Sequence, residues 1–202
     1  MVAHPDDETL WAGGTLLMQS TWAPFVTTLC RGSDVDRAPK FFDALAALSA
    51  HGLMADLDDG PEQTALADDE VERALLATLP ARKFDRILTH SPLGEYTRHL
   101  RHEEVARAVL RLWIAGEISS SELWLFAYED GAGKHLPKAI DTADIALELP
   151  REVWSEKYRI LAEIYRFEAG SWEARVTPRR EAFFRVTTRA DASAWLTPKY
   201  CP

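Results

Sequence analysis

Short apolar runs rich in β-formers alternate along this chain with segments of helical spacing, and that alternation narrows its possible folds more than any other feature. The runs are 24–30 (PFVTTLC), 84–90 (FDRILTH), 121–128 (SELWLFAY) and 144–150 (DIALELP), with 181–187 as a last strand. Between several of them lie amphipathic stretches. Residues 9–20 follow the opening motif, and residues 40–52 repeat Phe41, Leu45 and Leu48 on one face and stop at Gly52. Residues 68–79 align Val71, Leu75 and Leu79 behind an Asp68 or Asp69 cap, and residues 103–116 align Val105, Val109 and Leu112 and end at Gly116. Residues 151–168 read as one long amphipathic helix. Strands alternating with helices predict an α/β chain with a mostly parallel sheet covered on both sides. A length of 202 residues suits a single domain spanning 1–202.

The chain opens with AHPDDETLWAGG, residues 3–14, which packs His4, Asp6, Asp7 and Glu8 into five positions. Two readings compete. In one, Pro5 sets a turn, Asp6 or Asp7 caps the following helix, and the acids suit its positive end. In the other, His4 and Asp7, three apart, aim an imidazole nitrogen and a carboxylate oxygen at one metal ion, and Asp6 stays free. Zinc accepts both donors, and a catalytic site needs three protein ligands and an open position. The metal reading therefore demands a third ligand from a distant loop. The segment 89–105, THSPLGEYTRHLRHEEV, holds three of the six histidines: His90, His99 and His102. It follows the strand 84–90, and loops leaving the carboxyl ends of parallel strands converge on one crevice. Only Met1, Val2 and Ala3 precede the motif, so either the numbered chain starts inside the first strand or that strand is unusually short.

Charge and cysteines restrict the partners. The net charge of −9 disfavours nucleic acid and anionic membranes, which need a basic face, and leaves a small neutral substrate open. No apolar run is long enough for a membrane span, and no signal peptide is visible. Cys30 and Cys201 form no Cys-x-x-Cys pair, which fits a reducing cytoplasm. Gly13 and Gly14 lack dinucleotide-fingerprint spacing and are read as permitting close helix packing. Asp56, Asp58 and Asp59 lack the spacing of a calcium loop. Glu8 is read as a first-turn helix acid without a role in the chemistry.

The residues AHPDDE match, one for one, the signature of the LmbE-like or PIG-L-like N-acetylglucosaminyl deacetylases. The second motif of that family, His-Pro-Asp-His, resembles His99-Leu100-Arg101-His102, with the outer histidines kept and the middle pair changed. Weaker likeness runs through 31–52 and 156–165. The resemblance implies a Rossmann-like three-layer α/β/α fold and a zinc-dependent amide hydrolase, with iron(II) able to occupy the same ligands. It implies His4, Asp7 and His102 as metal ligands and Asp6 as general base. His99 would aid the oxyanion or the leaving amine. Arg37, in DRAPKF, falls in the segment that contributes substrate contacts, ahead of Arg31 and Lys40 as a substrate-binding residue. The expected substrate is an N-acylated amino sugar or glycoconjugate. The alternatives are an amidase for a non-sugar N-acyl compound and a metal-retaining but inactive carbohydrate-binding domain. Trp11, Trp124 and Trp172 are candidates to stack on a sugar, although core packing is the commoner fate. His90 either lines the crevice or simply ends its strand.

Overall fold

The computed structural model describes residues 1–96 and 99–197, so Cys201 lies outside the described residues. The elements follow the alternation closely. They are α1 (Asp7–Met18), β1 (Phe25–Cys30), α2 (Arg37–Ala47), β2 (His51–Leu57), α3 (Asp68–Thr78), β3 (Arg86–Thr89), α4 (Leu100–Ala115) and β4 (Glu122–Phe126). Then come β5 (Tyr128–Glu129), β6 (Lys138–Ala139), β7 (Ile145–Glu148), α5 (Arg151–Arg159), α6 (Trp172–Val176), β8 (Arg180–Val186) and α7 (Arg189–Trp195). A single π turn, Ile160–Ile164, prolongs α5.

The strands form a mixed α/β arrangement that is smaller and less parallel than the alternation predicts. β1 and β2 pair in parallel, and β3, β4, β8 and β7 form a second sheet in that order. The β3–β4 pair is parallel, whereas β8 runs antiparallel to both β4 and β7. Residues 1–3 form only a bridge, Val2 to Thr28. That stub still reaches both sheets. Val2 N donates to Thr27 O at 2.8 Å, and the Met1 amine donates to Leu88 O at 2.8 Å.

Alternating strand side chains feed two cores. Val2, Phe126 and Phe183 pack with Leu10 and Trp11 of α1, Phe41 and Leu45 of α2, and Ile160 and Leu161. Ala3, Leu29, Ile87, Leu123, Leu125 and Val186 pack with Val71 and Leu75 of α3 and with Val105 and Val109 of α4. The period of two along each strand sends neighbours to opposite faces.

The helix over 40–52 is corrected by the structure. It ends at Ala47, and Gly52 lies inside β2. The helical spacing simply runs into the strand, and the glycine serves a close approach instead of a helix stop. A Cβ at Gly52 would collide with Val26 O and with Leu45 and Phe41. Gly52→Ala is therefore expected to cost about 2 kcal/mol or more, from strain in a filled core. Urea unfolding of the variant checks this; an unchanged midpoint would refute it. Gly14 meets its expectation of close packing: a Cβ there would strike Leu149.

Candidate metal and active site

The site forms where chain segments leave the carboxyl ends of the strands. Ala3 still bonds within the sheet, its carbonyl accepting from Cys30 N at 2.9 Å, so His4 is the first residue beyond the edge. Asp6 caps α1 through its carbonyl, which accepts from Thr9 N and Leu10 N at 3.0 and 2.8 Å. Its backbone is left-handed, with φ 116°. Across the cleft, α4 begins at Leu100, with His99 as its N-cap and His102 in its first turn. Their rings stack with centroids 4.4 Å apart.

These pieces bring three donor atoms together. His4 Nδ1 lies 3.2 Å from His102 Nε2 and 3.3 Å from Asp7 Oδ2, and His102 Nε2 lies 3.4 Å from the same oxygen. Three ligand atoms each about 2.0–2.1 Å from one tetrahedral ion stand about 3.3–3.4 Å apart, so this donor set fits a divalent cation in chemistry and in spacing. The surrounding contacts fix the same tautomers that ligation needs. His102 Nδ1 faces Glu95 Oε2 at 2.6 Å and His4 Nε2 faces Asp59 Oδ1 at 3.2 Å, leaving the other ring nitrogens turned to the shared point. Asp7 is held by Trp11 Nε1 at 3.1 Å and by His4 N at 2.8 Å.

The electrostatics call for a positive charge at this point. Burial opposes ionisation of Asp7, yet His102 and His90 beside it hold its carboxyl well below the usual range. Burial likewise opposes a charge on His102, but Asp7 and Glu95 push it up to about 9. A bound proton or a metal ion would answer the same demand. Asp6 differs: burial, helped by the charge on Asp7, pushes its carboxyl well above the usual range, against the pull of Arg37. Burial, reinforced by His102 and His4, holds His99 down to about 3, so its imidazole is neutral at pH 7. His99 Nδ1 is buried without a partner among the described residues.

A cleft of about 300 Å³ opens over this cluster, lined by His4, Asp6, Asp7, Arg31, Arg37, Asp59, Tyr96, His99 and Trp172 among others. Asp6, His99 and Arg37 thus share one cavity with His4 and Asp7. Arg37 also pairs with Asp6, its Nη1 lying 3.2 Å from Asp6 Oδ2. Arg31 pairs with Asp59 at 2.7 Å, whereas Lys40 pairs with Asp36 outside the cleft lining. Of the three tryptophans, Trp172 lines the cleft. Trp11 is wholly buried, and Trp124 lies under Arg86 and against Phe183.

Asp59 and Glu95 escaped the sequence reading as members of the site, whereas His90, read as either lining the crevice or ending its strand, directly follows β3 and lies 3.4 Å from Asp7 Oδ2. Asp59 follows β2, a strand hidden behind helical spacing, so the crevice loop after it went unrecognised. Arg101 ties that loop down, donating to Asp58 O at 2.6 Å and Thr64 O at 2.8 Å. His90 is wholly buried; its Nε2 accepts from Ala3 N at 3.0 Å, and its Nδ1 lies 3.1 Å from Glu95 Oε2. Glu8 stands in the first turn of α1 as expected, and it is buried there, accepting from Asp6 N at 3.1 Å and from Tyr165 Oη at 2.8 Å.

No protein-family model matches the sequence, and no curated protein matches it. Solved structures do. The N,N′-diacetylchitobiose deacetylase from Pyrococcus horikoshii superposes with a TM-score of 0.69 at 14% identity, covering 92% of this chain and 82% of that one. The zinc-inhibited form of teicoplanin deacetylase gives 0.57 at 15% identity, with 87% of each chain covered. The chain shares its fold with these two deacetylases. That fold is not confined to them, because 4-carboxy-2-hydroxymuconate hydratase from Pseudomonas putida gives 0.61 at 16% identity over 93% of this chain and 95% of that one. Fold alone therefore leaves the reaction to be argued from the site. No helix among the described residues is long and apolar enough to cross a membrane.

Proposed function

We propose that this chain is a metal-dependent hydrolase that removes an N-acetyl or similar acyl group from an amino sugar or glycoconjugate. The frame is read as Rossmann-like and three-layered, with the 1–3 stub joining the two main sheets. The observation that carries the proposal is the 3.2–3.4 Å triangle of His4, Asp7 and His102 with an unligated carboxylate, Asp6, opening on the same cleft. Those three residues would hold zinc or iron(II), which suits the mixed nitrogen and oxygen donors. When bound, the ion would lower the pKa of a water and polarise the amide carbonyl.

The chain's own groups supply the rest. Asp6 takes a proton from the attacking water and returns it to the nitrogen as the C–N bond breaks, giving a carboxylic acid and an amine. Its carboxylate opens on the cleft beside the donor triangle, where it can reach both the water and the nitrogen. His99, neutral here, donates an N–H bond to the carbonyl oxygen or the departing nitrogen. Arg37 is read as a substrate contact that also steadies Asp6. Tyr96 and Trp172 offer the aromatic walls a sugar face packs against. The free Asp6 argues against an inactive binding domain, because holding a metal and a sugar needs no base. A cytoplasmic location is part of the same reading and agrees with the buried free thiol of Cys30.

The test is acetate release from N-acetylglucosamine and N,N′-diacetylchitobiose, with added zinc or iron(II) and with a chelator. Release is expected with metal and is expected to vanish on chelation. Protein carrying one metal per chain that frees acetate from no N-acetyl sugar would overturn the sugar reading in favour of a non-sugar N-acyl substrate.

A further inference from the structure

The left-handed backbone of Asp6 needs a cause. Only glycine adopts φ 116° without strain, and residues held in such regions persist where the surroundings over-determine them. The positive φ turns the Asp6 N–H inward, where Glu8 Oε2 receives it at 3.1 Å. Glu8 is only 3% exposed, and its other oxygen receives Thr9 Oγ1 at 2.6 Å and Tyr165 Oη at 2.8 Å. A solvated first-turn acid would make none of these bonds. Tyr165 in turn is placed by the π turn. Its N–H donates to Ile160 O at 3.1 Å, five residues back, and the extra residue in that turn rotates the tyrosine towards α1 and buries it. Two residues later the ring of Phe167 lies 4.9 Å beneath the guanidinium of Arg37, which pairs with the Asp6 carboxylate. One helix end therefore holds Asp6 from two sides, by its backbone and by its side chain.

We propose that Glu8 and Tyr165 are positioning residues that lock the Asp6 backbone left-handed and so present its carboxylate to the cleft. The functional weight of this inference rests on reading Asp6 as the general base. Positioning errors of about an ångström are enough to slow a reaction substantially without weakening substrate binding.

The experiment compares Asp6→Asn, Glu8→Gln, Tyr165→Phe and the double variant Glu8→Met/Tyr165→Phe with the parent chain. The double variant replaces both buried partners with apolar groups of similar size, which spares the fold from an orphaned hydroxyl. The readouts are the Asp6 φ in crystal structures, metal content, and kcat and KM on N,N′-diacetylchitobiose. In the double variant φ should leave the left-handed region, and kcat should fall about tenfold or more while KM and metal content stay within about twofold. Glu8→Gln keeps an oxygen for the Asp6 N–H and should keep both φ and most of kcat. The inference is overturned by an Asp6 φ that stays near 116° in the double variant, by unchanged kcat there, or by a Gln variant as impaired as the double. Should the double variant not fold, Tyr165→Phe decides: kcat should fall about threefold at constant KM, and an unchanged kcat overturns the proposal. Unchanged kcat in Asp6→Asn would instead overturn the base assignment, while the φ readout, which needs no turnover, still judges the lock.

Discussion

Asp6→Asn should lower kcat by roughly 10²-fold or more while the protein still carries about one metal ion per chain. The amide keeps the shape of the carboxylate, and Asp6 supplies none of the three atoms in the donor triangle, so ligation is left alone. His102→Ala should fail in a different way. It removes one corner of the triangle and takes the 2.6 Å partner from Glu95, whose ionisation burial opposes and whose pKa His90 and His102 hold down to about 2. Metal content should drop well below one per chain, and activity should return only in part at high added zinc. The measurements are metal analysis after gel filtration and acetate release on the same samples. Equal metal loss in both variants would mean that Asp6 is a ligand and not a free base.

Lys157→Met should be the most damaging single change away from the cleft. The Lys157 ammonium lies 2.6 Å from Glu181 Oε1, and both side chains are wholly buried. Burial pulls the Lys157 pKa down and Glu181 holds it up. The carboxylate also receives Gly14 N, Thr15 N and Thr15 Oγ1 at 2.8, 2.7 and 2.6 Å, so it fastens the middle of α1 to β8. Removing the lysine alone leaves a buried negative charge without its counter-ion, and such changes cost about 3–5 kcal/mol. For a chain of this length that corresponds to a fall in Tm of roughly 10 °C. Lys157→Met combined with Glu181→Gln removes both charges and should regain most of the loss. Chemical denaturation of the two variants tests the pair. A single variant within about 1 kcal/mol of the parent would show that the remaining three donors alone satisfy Glu181.

Much of this protein is written in local pattern. The helical spacing of Val71 and Leu75 or of Val105 and Val109 marks one buried face, and both pairs are buried in the structure. The runs at 24–30 and 84–90 became β1 and β3 because β-branched and apolar residues fill a doubly covered strand. The opening motif carries its own geometry, since three residues of turn suffice to bring His4 and Asp7 together. The late helix was legible too, but not the π turn that ends it, because one extra residue in a turn leaves no trace in apolar periodicity.

Other features were decided only when distant segments met. Asp59 reaches His4 across 55 positions, and Arg101 anchors its loop from 43 positions away. Tyr165 reaches Glu8 across 157, and Glu181 receives its two backbone donors from α1 across 167 and 166. None of these pairings has a spacing rule, because spacing rules describe neighbours on one helix or one strand. Burial selects them instead: a charge or polar group taken out of water must find its partner wherever the packed elements bring one. The sequence by itself determined which residues are the candidates for the chemistry and which faces are apolar. The tertiary structure decided which carboxylates face the histidines and which one, paired with Arg37, opens on the cleft.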